Sequence, residues 1–319
     1  MGRPVPEFNG FYGQQNAVKR VKILCDGSKV LAKPLPHMLF RGTSGMGKTE
    51  FARAAAKEMG FNFHPLYCTP KTSTGKLVEM LKGLNEGDLF FLDESHNLSR
   101  DCQELFYPVI DSLTLANTKG AGDEGTEPVT IKPFTLILAS DQIGKMLNAL
   151  KRRVEIDITL EEYSLEEMRA ITSSYASKSG LDLNPQAITR IAEASRGIPR
   201  KIKFLMDEMS IHIGAENTGK SEMGSTDREI TKPEVEKILQ IIGIDGDNLW
   251  EVDRRYLRFL VLKSKPVSLQ NLAVILELDK DSLQRDVEGY LIKRDFVDIS
   301  RGRVLTQAGR QLILKGFKI

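Results

Sequence analysis

The sequence reads as an α/β protein with a parallel sheet, followed by a small all-α segment and a C-terminal winged helix. Three observations predict this order. Residues 16–160 alternate short apolar runs ("HMLF", "DLFFLD", "FTLILAS", "VEIDI") with amphipathic helical patterns, as strands joined by crossover helices do. Residues 164–212 lose the strands but keep the helical period, starting with Ser164 and Glu167 in capping-box spacing. From about Leu249, three helical patterns precede two short strand-like runs around an Arg-Gly turn. The expected divisions are 1–162, 163–245 and 246–319.

Length and composition agree with this. A chain of 319 residues is too long for one ordinary core, and 41% hydrophobic with 28% charged residues is ordinary globular composition. No apolar run approaches the roughly 17–25 residues that span a bilayer, so no membrane partner is expected. The first residues show no charged-then-apolar signal pattern. Cys25, Cys68 and Cys102 form no C-x-x-C pair, so neither a disulfide framework nor a zinc site is indicated, and a cytoplasmic location is expected. Net charge is only +2, but residues 251–319 carry 14 Lys and Arg against 9 Asp and Glu. A basic C-terminal module on a slightly acidic body suits a nucleic-acid or other acidic partner.

The first apolar run leads into "LFRGTSGMGKTEFA" at residues 39–52, where Gly42, Gly47, Lys48 and Thr49 stand in G-x-x-x-x-G-K-T spacing. A Gly-rich loop between strand and helix points its backbone N–H groups at phosphates, and the helix N-terminus favours the same anion. Lys48 is placed to reach the β- and γ-phosphates and Thr49 to put its hydroxyl on Mg²⁺. The second run, "DLFFLDESH", ends in Asp93 and Glu94. A buried strand thus delivers two carboxylates to the sheet's C-terminal edge, where open α/β sheets hold ligands. Asp93 is expected to bind Mg²⁺ through water and Glu94 to polarise the attacking water. Together the two motifs predict hydrolysis of a nucleoside triphosphate with Mg²⁺.

The third run, "FTLILAS", ends in Ser140 and Asp141, a position suited to sensing the γ-phosphate. "ALKRRVEIDI" follows, with Lys151, Arg152 and Arg153, which read either as a solvated helix end or as the arginine finger that oligomeric ATPases carry here for a neighbour's phosphate. In "SRGIPRK", Arg200 follows Pro199 at a helix start, from which it can swing onto nucleotide. Residues 116–128, "ANTKGAGDEGTEP", are expected to form a long hairpin or mobile loop, and residues 214–229 a polar loop. In the C-terminal module, "DRRYLRFLVLK", "SLQNLAVILEL" and "DSLQRDVEGYLIKR" are the three helices, and Leu283, Val287, Tyr290 and Leu291 share one face of the third. That helix also carries Asp281, Asp286 and Glu288, so the better phosphate-facing surface is the wing, with Arg301 and Arg303 around Gly302. From these residues alone, both DNA and a protein remain open as the partner of this module.

The order of these motifs resembles that of AAA+ ATPases, and in detail the RuvB family of Holliday-junction branch-migration motors. "LNEGDLFFLDESHNL", "ELFYPVIDSLTL", "FTLILAS", "SRGIPRK", "DRRYL", "GYLI" and "RGRVLT" carry the resemblance over most of the chain. It implies a P-loop AAA+ core, a helical lid and a DNA-binding winged helix, working as a homo-oligomeric ring, a hexamer, on duplex or branched DNA. It further implies ATP as the nucleotide, with contacts from Arg3, Gly45, Gly47, Lys48, Thr49, Glu50, Tyr163 and Arg200. Arg153 matches the trans finger and Arg303 a DNA-contacting arginine. Residues 116–128 match the hairpin that docks on a loading protein. Asp141 stands where the family has Thr, Glu50 where it usually has Thr, and Asp298 near where it has a second DNA-contacting arginine. The alternative readings are an ATP-driven switch or loader that does not translocate, and a winged-helix regulator whose ATPase controls assembly.

Overall fold

The computed structural model describes residues 8, 11–115, 128–154, 156–217, 229–263 and 265–314. The chain divides into two compact units, Met1–Glu167 with Ile198–Arg200, and Met168–Gly197 with Lys201–Ile319. Arg3 and residues 116–127 lie outside the described residues, as do residues 218–228 of the expected 214–229 loop. The helix Pro199–Asn217 runs into the start of that loop, which therefore begins later than its composition suggests.

The first unit is built on strands β1 (Met38–Arg41), β2 (Phe63–Tyr67), β3 (Leu89–Asp93), β4 (Thr114–Leu115), β5 (Val129–Thr130), β6 (Thr135–Ser140) and β7 (Ile156–Thr159). Five of them form one parallel sheet in the order β2-β3-β6-β1-β7. The apolar runs occupy its centre: Phe90, Phe91, Leu92, Leu136, Ile137 and Leu138 are fully buried. A strand covered on both faces has no polar alternation, which is why these segments read as continuous apolar runs. β2 is different. Its sequence, "FHPLY", is only partly buried and contains Pro65, which has no N–H to donate and is tolerated here because β2 is an edge strand. β4 and β5 pair antiparallel, forming the base of the expected hairpin around residues 116–128.

This strand order positions the site. β3, β6 and β1 are neighbours, so their C-terminal ends bring Asp93, Ser140 and the Gly42 loop to one edge of the sheet. The helix Lys48–Met59 leaves that edge with Phe51, Ala52, Ala54, Ala55 and Ala56 buried, its small residues allowing close approach to the sheet.

In the second unit the helix Pro185–Ala194 is capped by Asn184, whose Oδ1 accepts from the Ala187 amide at 2.8 Å, and it packs on Lys232–Ile241. The C-terminal module is the expected winged helix: Glu251–Val261, Leu269–Leu276 and a third helical stretch ending at Lys293, then β8 (Val297–Asp298) and β9 (Val304–Leu305). The third stretch opens into a wider turn over Leu283–Glu288. Leu283, Val287 and Leu291 are buried with Leu249, Tyr256, Leu257 and Leu272 in one core, while Tyr290 is only partly buried. A closing helix, Gln307–Leu314, has no counterpart in the sequence expectations.

Candidate functional site

The loop between β1 and the helix Lys48–Met59 is shaped by glycine. Gly45 has φ +87°, and a Cβ there would lie 2.7 Å from Ile198 Cγ2 and 3.1 Å from Arg200 Cβ. Only a residue without a side chain combines that left-handed backbone with so close an approach. Gly47, at φ +94°, leads directly into Lys48, the first residue of the helix. The ammonium of Lys48 folds back onto the loop, donating to the carbonyls of Gly42 at 2.7 Å and Thr43 at 3.2 Å. Burial lowers its pKa from the usual lysine value, and the charges of Glu94, Asp93 and Asp141 pull the other way.

The carboxylates meet this loop from the adjacent strand ends. Thr49 Oγ1 donates to Asp93 Oδ2 at 3.2 Å, which sets the two oxygens expected around a divalent cation side by side. A hydroxyl and a carboxylate oxygen are the hard donors that Mg²⁺ takes, so the pair fits that ion. Glu94 sits just past the strand in the left-handed region at φ +51°, and its amide donates to Asp93 Oδ1 at 3.1 Å. The Glu94 side chain is largely buried. His96 Nδ1 lies 3.4 Å from Glu94 Oε2, 3.7 Å from Asp141 Oδ1 and 3.0 Å from Ser140 Oγ. Glu94, His96 and Asp141 each bring one potential ligand atom within 4.8 Å of the others. His96 therefore joins the end of β3 to the end of β6, a link that "DESH" by itself does not disclose.

Arg200 and Tyr163 approach the same loop. Arg200 Nη1 donates to Ser44 Oγ at 3.1 Å, and its amide to the Gly45 carbonyl at 3.4 Å. Tyr163 is buried and its hydroxyl donates to the Met46 carbonyl at 3.1 Å; burial pushes its pKa up to about 12. Glu50 occupies the first turn of the helix after the loop. Arg153 lies away from this cluster. Its Nε donates to both oxygens of Asp111 at 3.1 and 3.0 Å, and its guanidinium covers the Tyr107 ring at 4.4 Å from the centroid. Arg152, one residue earlier, is exposed.

In the wing, the structure separates the two arginines. Arg301 is exposed at the turn. Arg303 instead turns inward: Nε donates to Glu288 Oε1 at 2.8 Å and Nη2 to Oε2 at 3.1 Å, and the Glu288 side chain is 2% exposed. The Tyr256 hydroxyl donates to the same Oε1 at 2.8 Å. Arg303, expected as a DNA contact, is thus paired with Glu288 inside the fold, and Arg301 is the wing arginine that stands exposed. Asp298 also has a local task, accepting from the Ser300 amide at 2.8 Å and the Ser300 hydroxyl at 3.0 Å to build the wing turn. Those two bonds hold its carboxyl below the usual aspartate value. Removing Arg303 leaves Glu288 as a buried charge, so Arg303→Ala is expected to destabilise the module by about 3–5 kcal/mol. Arg301→Ala is expected to leave stability unchanged. Chemical denaturation followed by the fluorescence of Trp250, the single tryptophan, checks both.

Comparison with known proteins places these features in context. Residues 3–160 match the family described as the Holliday junction DNA helicase RuvB P-loop domain, and residues 247–314 match the RuvB C-terminal winged helix domain. The "Holliday junction branch migration complex subunit RuvB" of Wolbachia sp. subsp. Drosophila simulans (strain wRi) is 30% identical over 309 residues, covering 96% of this chain and 93% of that protein. The protein of the same name from Ehrlichia ruminantium (strain Gardel) is 31% identical over 299 residues, covering 93% and 88%. Among solved structures, the Thermotoga maritima RuvB Holliday junction branch migration motor matches with a TM-score of 0.83 and 28% identity over 98% of each chain.

Proposed function

This chain belongs to the RuvB family, and from that membership we propose that it is an ATP-driven motor that moves duplex DNA and drives branch migration at four-way junctions. The observation that carries the proposal is the convergence of Lys48, Thr49, Asp93, Glu94, Asp141 and Arg200 around the phosphate loop in a chain that also has a winged helix. ATP binds with its phosphates along the backbone N–H groups of residues 44–49. Lys48 exchanges the Gly42 and Thr43 carbonyls for phosphate oxygens, and Arg200 exchanges Ser44 in the same way. Arg3, outside the described residues, and Tyr163 and Glu50 complete the nucleotide site.

Thr49 and, through water, Asp93 would hold Mg²⁺, which would supply positive charge to offset that of the phosphates. Glu94 accepts a proton from the attacking water at its carboxylate. Asp141, where the family has Thr, is an acceptor when ionised, so it holds that water rather than donating to the γ-phosphate. His96 Nδ1, 3.4 Å from Glu94 Oε2 and 3.7 Å from Asp141 Oδ1, links the two carboxylates. The divisions 1–162, 163–245 and 246–319 then serve as core, lid and winged helix.

Subunits assemble as a homo-oligomeric ring, a hexamer, in which Arg153 reaches a neighbour's nucleotide. Residues 116–128 dock a loading protein. Arg301, with exposed Lys293 and Arg294 close in sequence to the wing, binds the DNA backbone without regard to sequence. Among the described residues no helix is long and apolar enough to cross a membrane, in keeping with work in the cytoplasm. The switch-or-loader reading has no support from the relatives. The test is ATP-dependent release of strands from a synthetic four-way junction; ATP turnover without any strand movement in the presence of a loading protein contradicts the proposal.

A further inference from the structure

Arg196 lies in the same "SRGIPRK" segment as Arg200, yet it has no place in the nucleotide site. Its side chain is only 2% exposed and pairs with Asp253, whose side chain is 0% exposed. Nη1 donates to Asp253 Oδ1 at 3.3 Å and Nη2 donates to Asp253 Oδ2. Nε and Nη2 also donate to the Asn248 carbonyl, at 2.8 and 2.6 Å. The face of the guanidinium stacks on the Tyr290 ring, 3.7 Å from its centroid. One side chain just past the helix Pro185–Ala194 is thus fastened to the loop before the winged helix, to its first helix and to its third. Arg190 adds a second tie, donating to Glu236 Oε1 at 2.6 Å, Asn248 Oδ1 at 2.5 Å and the Asp245 carbonyl at 2.8 Å.

A buried guanidinium with every edge and one face engaged fixes direction as well as distance, because the planar fork accepts few orientations. The segment after it is short and unusual. Arg196 at φ +56° and Gly197 at φ +75° are consecutive left-handed residues, and three residues further on Arg200 is held at the phosphate loop by Ser44 and Gly45. The division between the two compact units falls between Gly197 and Ile198 and again between Arg200 and Lys201. The two ends of this stretch are therefore anchored separately, Arg200 at the phosphate loop and Arg196 in the body that contains the winged helix.

We propose that Arg196 is a positioning residue of the motor. It locks the winged helix to the helical segment that ends in "SRGIPR", so that a shift of Arg200 on nucleotide binding reaches the winged helix as a rigid-body movement instead of being absorbed at the joint. This rests on the motor reading for its biological meaning, but its physical content is a coupling between nucleotide and DNA affinity.

The experiment measures the affinity of the full-length chain for duplex DNA with and without a non-hydrolysable ATP analogue. It compares the unaltered protein with Arg196→Lys, which keeps the cation but loses the fork, and Tyr290→Leu, which removes the stacking together with the Tyr290 contacts to Arg294 and the Asp247 carbonyl. Strand movement on a four-way junction is followed on the same preparations, and circular dichroism confirms folding. The expected result is that the nucleotide changes DNA affinity in the unaltered protein, that Arg196→Lys loses about a tenfold share of that change, and that Tyr290→Leu loses less. Affinity for the analogue itself stays the same in all three. A nucleotide effect on DNA affinity that is absent in the unaltered protein, or fully retained in both folded variants, overturns the inference. Failure of the unaltered protein to move the junction, with the nucleotide effect intact and lost in Arg196→Lys, removes the motor reading and leaves this coupling standing.

Discussion

Arg153→Ala is expected to lower ATP turnover of the assembled protein by about 10³–10⁵-fold, the contribution of an arginine supplied to a phosphoryl-transfer transition state by a neighbouring subunit. Nucleotide binding by the single chain is expected to remain, because the contacts seen for Arg153 are to Asp111, Tyr107 and Ala149 rather than to the phosphate loop. Those contacts define what the substitution removes. Asp111 and the Tyr107 ring hold the guanidinium in one orientation on the surface of its own subunit, with the side chain about a third exposed. An arginine held this way loses little conformational freedom when a neighbour's phosphates arrive. Arg152, exposed on the same short helix, serves as the comparison, and Arg152→Ala is expected to stay near the unaltered rate. Mixing Arg153→Ala with Lys48→Ala subunits provides the decisive form of the measurement. Each protein is expected to be inactive alone, and a mixed assembly that pairs an intact loop on one subunit with an intact arginine on the next is expected to recover activity. Full turnover by Arg153→Ala alone in the assembled state rules out the assignment.

Glu94→Gln is expected to lower the hydrolysis rate by about 10²–10⁴-fold, the usual contribution of a positioned general base. The amide keeps nearly the same shape and can occupy the same left-handed turn after β3, so the substitution isolates the loss of a proton acceptor. ATP affinity is expected to be retained, since Lys48, Thr49 and Arg200 are untouched. A fall in kcat with KM unchanged is the signature of a group needed only in the transition state. If kcat is preserved, proton transfer does not pass through Glu94, and Asp141, which faces the same His96 nitrogen, becomes the candidate base.

Much of this arrangement can be read directly from the residues. The central strands declare themselves because burial on both faces demands unbroken apolar runs, as in "DLFFLD" and "FTLILAS", and the residues that end those runs are the ones that meet at the site. The Ser164–Glu167 cap is equally plain, with the Ser164 amide donating to Glu167 Oε2 at 2.7 Å and the Glu167 amide to Ser164 Oγ at 3.2 Å. β2 is not readable, because an edge strand has one open side and tolerates Pro65 and polar neighbours. The closing helix Gln307–Leu314 packs Ala308, Leu312 and Ile313 on the core but is only eight residues long, too short for its apolar face to repeat.

The site shows the same division. Motif spacing locates Lys48, Thr49, Asp93 and Glu94 because the chemistry needs those types next to one loop. It cannot show which cation faces solvent. Arg301 and Arg303 look equivalent in "SRGRVLT", and only the approach of Glu288, 15 residues earlier, draws one of them inside. Arg196 is hidden for the same reason: its partner Asp253 is 57 residues away, and nothing local to "SRGIPRK" marks the first arginine as structural and the second as functional.

Coupling of hydrolysis to DNA is best probed by steady-state ATP turnover with no DNA, with linear duplex and with a synthetic four-way junction, using Glu94→Gln as the blank and running the strands of the same samples on a gel. A motor of this family turns over faster on DNA and converts the junction into separated duplexes, and both signals vanish in Glu94→Gln. Turnover indifferent to both DNAs, with the junction left intact even when a loading protein is supplied, contradicts the account.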